Sequence, residues 1–197
     1  MTIFSNTFGL AMRNFTTYPE IPDPQALIAY AVKAEELGFD SIWVWDHILL
    51  GVDPPFPIID SLTLLAAVAA RTSRIKLGTG VLVFPLRNPV VLAKELASLD
   101  LIAGGRLLLG TASGWYKREF DAVGVPFGER GRLMDRNLEI LRRLWTEEQV
   151  NAEYPPHLLR GANLSPKPSH LPAILIGGYV DRVLKRAALN GGWLTYF

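Results

Sequence analysis

The chain has 197 residues, 49% of them hydrophobic, which is enough to bury one substantial core and fits a single α/β domain. A formal net charge of +1 gives no strong pull toward nucleic acid or a membrane surface, and the absence of cysteine excludes disulfides and thiolate chemistry. That composition suits a reducing cytoplasm. Met1 to Leu10 lacks the basic start and long apolar run of a secretory leader, and Leu62 to Ala70 is too short an apolar stretch to span a bilayer, so a cytoplasmic protein is expected.

Short apolar runs recur along the chain as predicted strands: Phe8-Gly9-Leu10, Ser41 to Trp45, Ile75 to Val83, Arg106 to Leu109, Ala173 to Ile176 and Trp193 to Tyr196. Most are continuous rather than alternating, the pattern of parallel strands buried on both faces. Helix punctuation lies between them. Asp23-Pro24 opens a first helix and Gly38 closes it; Asp60-Ser61 opens a second, ending near Thr72-Ser73. Asn88-Pro89 opens a third, which Gly104-Gly105 ends. Met134, Leu138, Leu141 and Trp145 form one stripe of an amphipathic helix, and Val180, Val183, Leu184, Ala187 and Ala188 form another before Gly191-Gly192. Strands alternating with such helices predict βαβ units and a parallel sheet in one domain over 1–197. Residues 151–172, rich in proline and without clear periodicity, are expected to be a long loop or insertion.

In parallel α/β folds ligands bind at the carboxyl ends of strands, so the residues delivered there are the candidates. The second strand ends in Asp46-His47, the only adjacent acid–imidazole pair. Two readings stay open: a capping Asp beside a loop His, or a proton-handling pair. Gly78-Thr79-Gly80 lacks the third glycine of a dinucleotide fingerprint and lies within a strand, which excludes a Rossmann reading. It fits either a bulge or the close approach of a flat ring. Gly177-Gly178 ahead of a helix fits either a tight turn or a phosphate site, although Asp181 in the first turn would repel an anion unless it points away. His47, His157 and His170 have no metal-ligand spacing, so no metal is expected, and no nucleophile elbow or phosphate-loop lysine occurs.

Four ordered segments carry a family resemblance. They are Glu35 to His47 (EELGFDSIWVWDH), Arg74 to Pro89 (RIKLGTGVLVFPLRNP), Leu99 to Gly114 (LDLIAGGRLLLGTASG) and Pro166 to Gly178 (PKPSHLPAILIGG). Phe120 to Gly131 and Leu138 to Trp145 also match in wording and spacing. Together they resemble the luciferase-like monooxygenase superfamily, most closely its branch using the deazaflavin coenzyme F420. The resemblance implies a (β/α)₈ barrel. Against the eight strands of that barrel the sequence shows six, so a barrel incomplete at its C-terminal side is expected.

The implied chemistry is hydride transfer between an organic substrate and the deazaflavin; an FMN-dependent monooxygenase using reduced flavin and oxygen, or a non-catalytic flavin-binding barrel, are the alternatives. By the same resemblance the coenzyme ring lies over a bulged third strand with a cis Gly80–Val81 peptide. Asp46 and His47 match the pair at the reactive face, Ser113 and Gly114 match backbone contacts to the coenzyme, and Gly177, Gly178, Val180 and Asp181 match the turn at its phosphate end. Trp115 stands where sugar-phosphate dehydrogenases of the branch have an acid, which implies an apolar substrate. Family habit implies a homodimer.

Overall fold

The computed structural model describes residues 6–195. Part of the leader reading and the end of the last predicted strand, at Tyr196, lie outside the described residues. Six strands form one parallel sheet: β1 (Gly9–Ala11), β2 (Ser41–Val44), β3 (Lys76–Val83), β4 (Leu107–Ala112), β7 (Ala173–Gly177) and β8 (Gly192–Leu194), in the order β1-β2-β3-β4-β7-β8. Each new strand joins the same edge as the last. A doubly wound sheet reverses direction at a switch point; this one never does, and right-handed crossovers then lay every helix on one face. That is the winding of a (β/α) barrel, with six strands among the described residues against eight in the closed form.

The helices form where the punctuation places them. In α1 (Pro24–Glu36) the Asp23 carboxylate accepts from the Gln25 and Ala26 amides. In α2 (Ser61–Ala69) Asp60 accepts from Thr63, and in α3 (Pro89–Ile102) Asn88 accepts from Val90 and Val91. Each bond satisfies an amide with no partner inside its helix, worth about 1 kcal/mol. Three more helices follow: α4 (Lys117–Ala122), α5 (Arg130–Thr146) and α6 (Asp181–Ala188).

Alternate residues of each strand face the two sides. Ile42, Val44, Leu77, Leu109 and Ile176 pack with Leu65, Val68, Leu92, Leu96 and Leu141 in one core between sheet and helices. The opposite face carries Gly9, Ser41, Trp43, Gly78 and Gly110. Trp43 pairs in register with Gly78, and a Cβ on Gly78 would come within 2.3 Å of its ring. The tryptophan therefore occupies the volume that its glycine neighbour leaves open, with its indole N–H donated to Ser41 Oγ at 3.0 Å.

The expected loop at 151–172 requires correction. It contains most of an antiparallel hairpin, β5 (Val150–Tyr154) and β6 (His157–Ala162), turning at Pro155-Pro156; only 163–172 is irregular. Val150 is buried and Ala152 and Tyr154 half-buried, while Asn151 and Glu153 are exposed. That period-two pattern spans five residues and is cut short by two prolines, which hides it from a search for longer runs. Arg136 and Arg143 of α5 hold the hairpin, bonding Pro155 O at 2.8 Å and the Tyr154 hydroxyl at 3.1 Å.

Candidate active site

The site is built where β2, β3 and β4 end. β3 is bulged against β4: Thr79 pairs with Leu109 and Leu82 with Thr111, so three steps on one strand oppose two on the other. Two hydroxyls tie the irregularity down, Thr79 Oγ1 to Gly110 O at 2.7 Å and Thr111 Oγ1 to Leu82 O at 3.0 Å. Gly80 and Val81 fall inside the bulge, and the peptide between them is cis.

Asp46 follows β2, and its side chain is wholly buried. The carboxylate accepts from Ser61 Oγ at 2.8 Å, from the Val83 amide at 2.9 Å and from Arg87 Nη2 at 2.6 Å. No hydrogen bond joins it to the His47 ring, whose Nδ1 meets Glu119. The sequence left open whether Asp46 fixes His47; the Asp46 carboxylate is instead engaged by these three donors.

The carboxylate that meets His47 belongs to Glu119 of α4. Its Oε2 lies 2.9 Å from His47 Nδ1, while Oε1 accepts the Ile48 and Leu49 amides at 2.6 and 2.9 Å. The Glu119 side chain is 1% exposed. Burial opposes its ionisation, but the bond to His47 and the two backbone amides outweigh burial and hold its carboxyl below the usual glutamate range. An ionised Glu119 accepts only, so Nδ1 must donate and carry the hydrogen. Nε2 is then the nitrogen free to exchange a proton. Trp115 meets the imidazole edge-on, with ring centroids 5.9 Å apart.

A cavity of about 190 Å³ opens here, lined among others by Trp45, His47, Gly80, Val81, Gly114 and Trp115. Asp46 also borders it. The remaining expected residues lie at the same end of the sheet but do not line this cavity. Ser113 is half-buried just beyond β4. Gly177 ends β7, the Gly178 carbonyl accepts from Trp193 Nε1 at 2.7 Å, Val180 caps α6 without a side-chain bond, and Asp181 is exposed as its first residue.

Glu119 and Arg87 were not anticipated. Lys117-Arg118-Glu119 reads as a solvated helix face, and Arg87 as a surface charge before a proline-started helix. Beyond Trp45, Phe15 packs edge-on at 5.3 Å and Phe56 lies 4.9 Å from Phe15, extending an aromatic wall away from the cavity. Among the described residues no cluster of three or more metal-ligating side chains occurs, and no helix is long and apolar enough to cross a membrane.

One-directional winding with a cavity at the carboxyl ends of the strands places the domain in the (β/α) barrel class. The chain belongs to the luciferase-like monooxygenase family, whose family model matches residues 5–196. It is 37% identical over 177 residues to the F420-dependent glucose-6-phosphate dehydrogenase of Kineococcus radiotolerans, a match covering 85% of this chain and 51% of that protein. Among solved structures it is similar to monooxygenase RslO1 from Streptomyces bottropensis, with a TM-score of 0.74, 31% identity and coverage of 87% and 53%. An F420-dependent secondary alcohol dehydrogenase in complex with an F420-acetone adduct superposes with a TM-score of 0.81 at 22% identity, covering 96% and 57%, and shares the fold. The chain thus spans about half the length of these three relatives, all of them oxidoreductases.

Proposed function

We propose that the domain holds coenzyme F420 with its ring over Gly80–Val81, and that His47, oriented by Glu119, exchanges the proton that accompanies hydride transfer with an organic substrate. The observation that carries this reading is the pairing of an imidazole held by a buried carboxylate with an open glycine floor in one cavity. Gly80 tests the fit of the ring. A Cβ there would meet no protein atom closer than 3.7 Å and φ is not positive, so the fold itself does not require glycine at this position. The missing side chain leaves the floor clear for a flat ring, whereas packing alone explains the glycines at 78 and 110.

The coenzyme would supply a two-electron hydride acceptor or donor. The protein's share is orientation and proton handling. With the coenzyme serving as hydride acceptor for an alcohol, His47 Nε2 would take the hydroxyl proton as the alcohol becomes a carbonyl. The buried Glu119 carboxylate then faces an imidazolium and stabilises it. The turn at Gly177, Gly178, Val180 and Asp181, and backbone at Ser113 and Gly114, are assigned to the rest of the coenzyme. Trp45 and Trp115 in the cavity lining favour an apolar, aromatic-contacting substrate over a sugar phosphate. The homodimer implied by the family and the cytoplasmic setting expected from composition belong to this same reading.

Similarity to a monooxygenase at 31% identity favours one second reading, FMN-dependent oxygenation. Anaerobic mixing of the protein with F420 and a panel of apolar alcohols is expected to reduce the coenzyme, with at least a hundredfold loss of rate in His47→Ala. Turnover only with reduced FMN and oxygen, with oxygen in the product, would establish the second reading instead. Binding without turnover under either regime would make the domain a non-catalytic flavin carrier.

A further inference from the structure

Arg87 lies outside the cavity, and nothing in the chemistry above uses it. Its Nη2 donates to Asp46 Oδ1 at 2.6 Å and to Asp60 Oδ2 at 3.0 Å, joining the exit of β2 to the N-cap of α2. Both carboxylates engage one end of the guanidinium, and its Nε is buried without a hydrogen-bond partner among the described residues. Burial works against this charge, yet the two acids outweigh it and strengthen the protonated form.

What Asp46 does with its other oxygen gives this ion pair a role. Oδ2 accepts the amide of Val83, which pairs with Ala112 one residue past the point where register resumes at Leu82. One buried carboxylate therefore ties the segment bearing His47 to the strand bearing Gly80 and Val81. Without a counterion that carboxylate would be a buried, uncompensated charge, and relieving its cost changes how it holds the Val83 amide.

We propose that Arg87 is a positioning residue: acting through Asp46, it keeps the Gly80–Val81 platform in fixed register with His47, touching neither substrate nor coenzyme. The inference rests on the coenzyme-site reading above. Its test compares Arg87→Met, Arg87→Lys, Asp46→Asn and the Arg87→Met/Asp46→Asn double variant by three measurements. These are Val83 amide hydrogen exchange, the urea midpoint, and titration with F420 and FMN.

Arg87→Met is expected to speed Val83 exchange about 10- to 100-fold beyond the change set by global stability, the scale of losing support from a charged group. Its coenzyme affinity should fall about tenfold or more, with partial recovery in Arg87→Lys, which keeps the charge but loses the planar fork. The double variant no longer buries an unpaired carboxylate and should bind no more weakly than Arg87→Met, the non-additivity of residues acting through one another. If Arg87→Met does not fold, Arg87→Lys and the double variant carry the comparison. Val83 exchange that merely tracks the urea midpoint, or strictly additive binding losses, overturns the inference. Should the native protein bind neither coenzyme, the site reading fails separately, while Val83 exchange still decides whether Arg87 governs the bulge.

Discussion

Glu119→Gln should leave the fold intact and lower turnover by about 10²- to 10⁴-fold, the range for loss of a positioned acid–base group or of the residue orienting its imidazole. The carboxamide oxygen can still accept the Ile48 and Leu49 amides, so the local structure has no reason to collapse. Its NH₂ group, however, then faces His47 Nδ1. A donor there makes Nδ1 the acceptor and moves the hydrogen to Nε2, the wrong nitrogen for taking a substrate proton. Steady-state rates with F420 or reduced FMN, alongside circular dichroism, measure both parts. Unchanged turnover would show that Glu119 is a structural ligand of the 48–49 amides and nothing more.

The same substitution carries a pH signature of fixed sign. Glu119 has a lower pKa folded than unfolded, so its stabilisation is complete above the unfolded value of about 4.3 and is lost as pH falls through the native value. Glu119→Gln removes that contribution, and urea midpoints between pH 6 and roughly pH 3 should fall less steeply than in the native protein. An identical acid slope in both proteins would contradict the depressed pKa.

Gly110→Ala should be the most damaging single methyl addition in the sheet. A Cβ at Gly110 would sit 2.1 Å from the Thr79 carbonyl oxygen and 2.8 Å from Leu194 Cδ2. The nearer atom is backbone at the start of the bulge, held by β3 on one side and by the Thr79 hydroxyl on the other, so β4 must move away bodily. Overpacking typically costs about 1–3 kcal/mol, and a backbone obstacle places this case at or above the upper figure. Gly128→Ala is the control, because its Cβ would meet nothing within 4 Å and its φ is not positive. Denaturation midpoints should drop sharply for the first and stay within about 0.5 kcal/mol for the second. Equal midpoints would mean that β3 and β4 do not approach as closely as described.

How much of this was legible beforehand follows the range of the interactions. The strands and the capped helices are local features: a continuous apolar run, an Asp-Pro or an Asn-Pro carries its meaning within a few residues, which gives a parallel α/β domain, while the barrel winding came only with the family resemblance. The hairpin at 150–162 was lost because its alternation is only a strand long and proline stands at its turn. The site failed at longer range. Adjacency drew attention to Asp46 beside His47, but the carboxylate hydrogen-bonded to the imidazole is 72 positions away on a six-residue helix. The Asp46–Arg87 pair spans 41 positions. Nothing in a run of charged residues distinguishes the one that will be buried, because burial depends on where the sheet places it.

The claim that a coenzyme ring lies on the Gly80–Val81 floor is tested most directly at Gly80 itself. Native protein and Gly80→Ala are titrated with F420 and with FMN, following fluorescence, while denaturation midpoints are recorded for both. The added methyl meets no protein atom closer than 3.7 Å, so stability should hold, and it occupies the floor on which the ring would rest. Saturable binding of one coenzyme by the native protein, weakened about tenfold or more in Gly80→Ala at equal stability, is the expected result. Equal affinity in both proteins, or binding of neither coenzyme by the native one, would contradict the site described above.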